Sequence, residues 1–401
     1  MKNLLKLFLI FTIIVVLALT FSFAGTGCKL TGNTVTTAVA ANSATETAMA
    51  APSSGAAATT TSGADKTILK ELGVYVWEGY LPEAAVNIFE QETGIKLNIT
   101  FATDNSAMLT LLKGGGKADI IMPTQNQVNR FYEAGLAQPL DLNKIPNYAK
   151  VSAALRDQTW SKWDGKSMGS GDIYVIPYVF GTSGLIVNTE KYTGSLDGIG
   201  WEILFDPALK ARVSSKNAAE SLMICLDTLG IPREKLLTDT AATLEAARPE
   251  VLKLKGNVLK FYDTGAELLD LLKNNEVYVS HIWDGGGRKM MKFSPKFKYV
   301  LPKTGGLGWT DTFMIPKGAP NPAGANLFID FMLRPEIAAM LTDESGYTTT
   351  VEGALDKSTV DNKKDYSFSA DQLQKLIWQP NFSEDVIAAY TTFWEEISTV
   401  K

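Results

Sequence analysis

Short apolar runs alternating with helix-length segments leave this chain one class of fold. Residues 73–76 read as a strand, and Pro82 then opens a helix that ends at Gly94, with proline at the first position and glycine past the last. Ile95, Leu97, Ile99 and Phe101 alternate as a half-buried strand. A helix over 107–113 is stopped by three glycines, 119–122 is a buried strand, and 127–134 is another helix. This β-α-β-α order predicts an α/β fold with a mainly parallel sheet covered by helices. A second set follows. Strands at 174–178 and 184–188 lead to a helix with Leu222, Met223, Leu226 and Leu229 on one face; strands near 258–261 and 277–282 flank a helix at 265–273. A strand at 312–315 and helices at 327–333 and 335–341 complete it.

The N-terminus belongs to neither set. Lys2 and Lys6 precede an apolar run from Leu7 to Phe23 without a charge, the pattern of a secretory signal over residues 1–27. Ala24-Gly25-Thr26-Gly27 leads into Cys28, and small residues before a cysteine resemble a bacterial lipobox, in which Cys28 becomes the lipidated first residue; Gly25 stands where leucine is usual. Between Lys29 and Asp65 the chain is mainly Ala, Thr, Ser and Gly, with no aromatic residue and only Lys29, Glu46 and Asp65 charged. Such a segment cannot bury enough apolar surface to fold. Residues 28–66 therefore read as a disordered tether with a root-mean-square reach of roughly 35 Å.

About 336 residues remain, enough for two α/β lobes. Removing residues 1–27 takes away two lysines and no acid, leaving 36 basic against 43 acidic residues, a net charge of −7. That charge argues against a nucleic-acid partner and suits a cationic ligand. The single histidine, His281, excludes a site needing two imidazoles, and its strand context reads as a core or edge residue. Cys225, in an apolar stretch, reads as packing. The glycine runs 114–116 and 285–287 lack the spacing of a phosphate loop or dinucleotide fingerprint and read as turns. No cofactor, metal or catalytic residue is expected.

Three tryptophans sit where strands give way to turns, each near a carboxylate: Trp77 beside Glu78, Trp283 beside Asp284, and Trp309 two residues before Asp311. An indole face and an acidic oxygen both attract an organic cation, so an amine pocket is expected. In open α/β sheets ligands collect beyond the carboxyl ends of strands, where Trp77, Thr124 and Trp283 fall.

From about Leu69 onward the sequence resembles the spermidine/putrescine-binding receptors of bacterial polyamine ABC importers, within the type II periplasmic-binding-protein superfamily. The landmarks are Trp77 and Tyr80 after the first strand, FEQETGIKL (89–97), ADIIMPT (118–124), IPYVFGTSGLIVN (176–188), GGLGWTD (305–311), FIDFMLRPEIA (328–338) and SGYTTT (345–350). The resemblance implies two discontinuous lobes, 67–180 with 310–353 and 181–309 with 354–401, hinged near 178–184 and 306–311 around a ligand cleft. It implies a monomeric extracytoplasmic receptor that delivers putrescine or spermidine to a membrane permease and catalyses nothing, and the lipobox-like residues before Cys28 add the expectation of a lipoprotein anchored in the membrane.

Carried over by position, Trp77 and Tyr80 line the cleft from the first lobe, Thr124 supplies a hydroxyl, Trp283 and Trp309 wall the methylene chain, Glu220 and Asp311 accept ammonium hydrogen bonds, and Gln379 adds a polar contact. Three positions depart from the pattern: Asn217 and Gly79 where acids are expected, and Asn126 where an aromatic is expected. Glu78 and Asp284 stand close enough to replace the lost charge, and a diamine needs fewer acids than a triamine. Each residue has a second reading. Asn217 with Glu220 is also a helix capping box, Trp283 and Trp309 suit an inter-lobe core, and Asp311 suits a turn cap. A receptor of the same fold for a sugar, an amino acid or another organic cation stays open, as do a ligand-sensing lipoprotein and a glycoside hydrolase. An anion receptor would need Arg or Lys in these loops, where Arg288 is the exception.

Overall fold

The computed structural model describes residues 68–216, 219–368, 372 and 374–400. The signal, Cys28, the tether and Asn217 lie outside them. The chain begins β1 (Glu71–Val76), α1 (Glu83–Thr93), β2 (Lys96–Phe101), α2 (Asn105–Lys113), β3 (Ile120–Ile121) and α3 (Val128–Glu133). The long β4 (Val175–Asn188) leads to β5 (Val213–Lys216), α4 (Ala219–Thr228), α5 (Thr240–Asn257), β6 (Val258–Tyr262), α6 (Gly265–Lys273), β7 (Val279–Trp283), α7 (Asp284–Phe293) and β8 (Phe297–Val300). Then come β9 (Leu307–Met314), α8 (Pro322–Met332), α9 (Pro335–Ser345), β10 (Thr348–Thr349), β11 (Ile377–Trp378) and α10 (Glu384–Thr399).

One sheet runs in the order β2-β1-β3-β9-β4-β7-β5-β6. Its two ends are parallel, as the β-α-β order predicts: β1 pairs β2 and β3, and β5 pairs β6 and β7, all in parallel. The middle is antiparallel, because β9 and β4 run in opposite directions across the join. Three apolar clusters flank that join, a smaller one around Tyr262, Leu272 and Phe297 and two larger ones. Leu72, Phe89, Ile120, Phe131, Phe313 and Phe328 belong to one; Leu185, Leu222, Val251, Leu307, Phe382 and Phe393 belong to the other. The chain therefore folds into two lobes joined by the β4–β9 ribbon.

Two local readings of the sequence change. The strands read separately at 174–178 and 184–188 are one fully buried strand of 14 residues. Gly181 and Gly184 do not break it. They are close-approach points, since a Cβ at Gly181 would fall 2.1 Å from Trp309 and one at Gly184 2.6 Å from the carbonyl of Val300. The run Gly285–Gly287 is not a turn but the first turn of α7. Glycine is needed there because Tyr347 lies on Gly285 and Tyr299 on Gly287, with Cβ positions 2.5 and 2.6 Å from those rings. His281 is fully buried beside the Tyr262 hydroxyl, 3.2 Å from Nδ1, and burial lowers its pKa to about 3, so it stays neutral. Cys225 is also fully buried.

Candidate functional site

Asp311 lies at a bulge, where the pairing of β9 with β4 shifts register between Asp311 and Thr312. A bulge re-aims the side chain beside it. The carboxylate is buried and accepts two hydrogen bonds, from the Tyr80 hydroxyl at 2.7 Å and the Thr124 hydroxyl at 2.6 Å. Both donors are themselves held. The Asn105 amide donates to the Thr124 oxygen at 3.1 Å and its carbonyl accepts the Thr124 backbone N–H at 2.9 Å, while the Tyr178 hydroxyl donates to the Tyr80 carbonyl. Tyr80 follows the tight turn at Gly79, whose φ of 81° suits glycine. Among the described residues no Lys or Arg forms an ion pair with Asp311. Burial pushes its carboxyl up to about 6 against the pull of the two hydroxyls.

Aromatic rings box this carboxylate. Register pairs Trp309 with Gly181 and Asp311 with Val179, so both side chains leave one face of the ribbon. Trp309 lies across Gly181 because no Cβ is there. Tyr347 meets Tyr80 edge-on at 5.7 Å and Trp309 at 5.3 Å between ring centroids. Tyr347 is a site residue the sequence reading misses, although it sits inside the SGYTTT landmark after Gly346, a left-handed helix cap. The half-buried Trp77 closes the same turn as Tyr80, and its buried indole N–H has no protein partner.

Glu220 and Trp283 form a second cluster. Glu220 sits in the first turn of α4 and accepts the Trp283 indole N–H; burial raises its carboxyl pKa while that bond and the nearby Lys216 ammonium oppose the rise. Tyr262 meets Trp283 edge-on at 6.1 Å. Burial, and next the charge of Glu220, raise the pKa of its hydroxyl. A third contact ties the rim: the Asn126 amide donates to the Gln379 carbonyl at 2.7 Å. Beside it Arg130 pairs with Glu384 at 2.9 Å, and Asn129 donates to the Phe382 carbonyl.

The two acids nominated as substitutes differ in their surroundings. Glu78 is exposed in the turn after β1. Asp284 is fully buried and paired with Arg288 at 2.8 Å, a contact between neighbours on one helix face. Arg288 also donates to the carbonyls of Gly346 and Asp365. The pair therefore cancels internally and joins α7 to the segments around 346 and 365. A half-open cavity of about 540 Å³ lies behind the ribbon, lined by Phe180, Trp160, Phe368 and Trp378 among others, and Gln379, expected in the cleft, also lines it. Phe180 pairs with Thr310, so it leaves the face opposite to Trp309 and Asp311.

Among the described residues this buried carboxylate has no cationic partner, and with its two hydroxyls and the aromatic rings around it, it offers the surroundings an organic cation needs. Known proteins agree in class. Residues 84–367 match the model of the family described as bacterial extracellular solute-binding protein. Spermidine/putrescine-binding periplasmic protein 1 of Haemophilus influenzae is 30% identical over 82% of this chain and 89% of its own length. The putrescine-binding periplasmic protein PotF of Escherichia coli is 25% identical over 71% and 79%. Among solved structures, a Listeria monocytogenes protein named as a candidate spermidine/putrescine ABC transporter superposes with a TM-score of 0.73 at 30% identity, covering 83% of this chain and all of that one. The chain belongs to the bacterial extracellular solute-binding protein family, whose members bind solutes and do not turn them over.

Proposed function

We propose that the protein is the extracytoplasmic receptor of an ABC importer, capturing a short polyamine of the putrescine or spermidine type and presenting it to a membrane permease. Asp311 carries the reading. Its carboxylate is buried, held by Tyr80 and Thr124, faced by Trp309 and Tyr347, and free of any protein cation among the described residues. An ammonium group supplies the missing charge and stacks its methylenes on the indole. Arg288, which would suit an anion receptor, is neutralised by Asp284. The names of the relatives point to the same solutes.

Around the ligand, the lobes at 67–180 with 310–353 and 181–309 with 354–401 close like a clamp, with Trp77, Thr124 and Asn126 contributed from one side and Glu220, Trp283 and Gln379 from the other. The Arg130–Glu384 and Asn126–Gln379 contacts, which join the two sides, belong to the closed form that the permease reads by differential affinity. The protein acts as a monomer anchored by a lipid on Cys28. A thermal-shift screen against putrescine, cadaverine, spermidine, spermine, amino acids and sugars tests the ligand class, since a ligand that binds only the folded state raises its melting temperature. The expected result is a rise with the short amines alone. A rise with a sugar or amino acid and none with any amine overturns the proposal.

A further inference from the structure

The Glu220 end of the site already holds a cation of the protein's own. Lys216 is the last residue of β5, and its ammonium donates to the Asp263 carbonyl at 2.8 Å. That places it 5.9 Å from the ring centroid of Trp283 and 5.9 Å from that of Tyr262. The same charge favours the ionised form of Glu220. Two aromatic faces and one carboxylate are what a second ligand ammonium would seek there, and Lys216 already lies near both rings while its charge acts on the carboxylate. Asp284, the acid next to Trp283 in the chain, is already paired with Arg288. Asp311, at the other end, faces no such competitor.

We infer that Lys216 is a specificity-determining residue that disfavours amines long enough to carry a further ammonium to Trp283 and Glu220, restricting the site to short diamines anchored on Asp311. The inference rests on the polyamine reading above. A ligand ammonium entering this end must either displace the Lys216 ammonium from Trp283 and Tyr262 or share a carboxylate with it against like-charge repulsion. Either way the longer amine loses affinity that the shorter one keeps.

Calorimetric titration of the full chain with putrescine and spermidine tests this. The wild type should bind putrescine more tightly. Lys216→Met should raise the ratio of spermidine to putrescine affinity at least tenfold, Lys216→Arg should leave the ratio as it is, and Glu220→Gln added to Lys216→Met should erase the gain. An unchanged ratio in Lys216→Met, or an equal shift in Lys216→Arg, overturns the inference while putrescine binding by the wild type leaves the receptor reading intact. If the wild type binds neither amine, the receptor reading falls and the inference with it.

Discussion

Asp311→Asn removes a negative charge and almost no volume, and the structure sets opposite signs for its effects on binding and on stability. A hydrogen bond to a charged group contributes about 1.5 to 3 kcal/mol. At about 1.4 kcal/mol per tenfold, losing it weakens amine binding roughly 10- to 150-fold. Stability moves the other way. The folded-state pKa of Asp311 is raised to about 6 from 3.8, so the folded protein binds more protons than the unfolded chain across that interval, and stability falls as pH rises through it. Two pH units correspond to about 3 kcal/mol, the penalty this carboxylate imposes on the unliganded protein at neutral pH. The asparagine avoids it. Its carbonyl still accepts one hydroxyl, and the other hydroxyl turns to accept from the amide. Chemical denaturation at pH 7.5 without ligand, paired with amine titration, should show a more stable variant that binds worse. A variant no more stable than the wild type, with amine affinity intact, would mean that Asp311 neither destabilises the unliganded protein nor pairs with the ammonium.

The same carboxyl predicts a pH profile: amine affinity measured by titration should be flat above about pH 6 and fall about tenfold per unit below it, because the ammonium binds only the ionised form. Gly181→Ala puts a Cβ 2.1 Å from Trp309, so the indole must move; amine affinity should drop by about 30-fold, the equivalent of about 2 kcal/mol of cation–π attraction, and the Trp309→Ala background should show no further loss. Arg288→Met strands the fully buried Asp284 without its partner, and denaturant titration should show a loss of about 3 to 5 kcal/mol.

Much of the architecture is legible in residue order. The strand and helix alternation over 71–133 appears as read, because apolar period and Pro82 and Gly94 at the helix ends act locally. The β4–β9 ribbon is not legible as one continuous element. Its burial on both faces erases the alternation that marks strands, and its glycines look like breaks until Trp309 and Tyr299 are seen lying on them. Site chemistry divides the same way. Trp309, Asp311, Tyr80 and Thr124 meet in one cluster, with residues far apart in the chain brought within hydrogen-bond distance by the β3–β9 junction. Asp284 and Arg288 stand four apart on a helix, a spacing that announces an ion pair, yet only the fold shows both buried. Tyr347 and Lys216 carry no local signal. Their roles come from Gly285 and from the faces of Trp283 and Tyr262, which the chain reaches only after closing on itself.

A crystal structure of the protein grown with putrescine would show directly whether Asp311 anchors the ligand. The expected result is an ammonium nitrogen within hydrogen-bond distance of the Asp311 carboxylate, with the methylene chain against Trp309 and Tyr347 and the lobes closed around it. Putrescine bound instead behind the ribbon beside Phe180 and Trp378, with Asp311 held only by Tyr80 and Thr124, would contradict it.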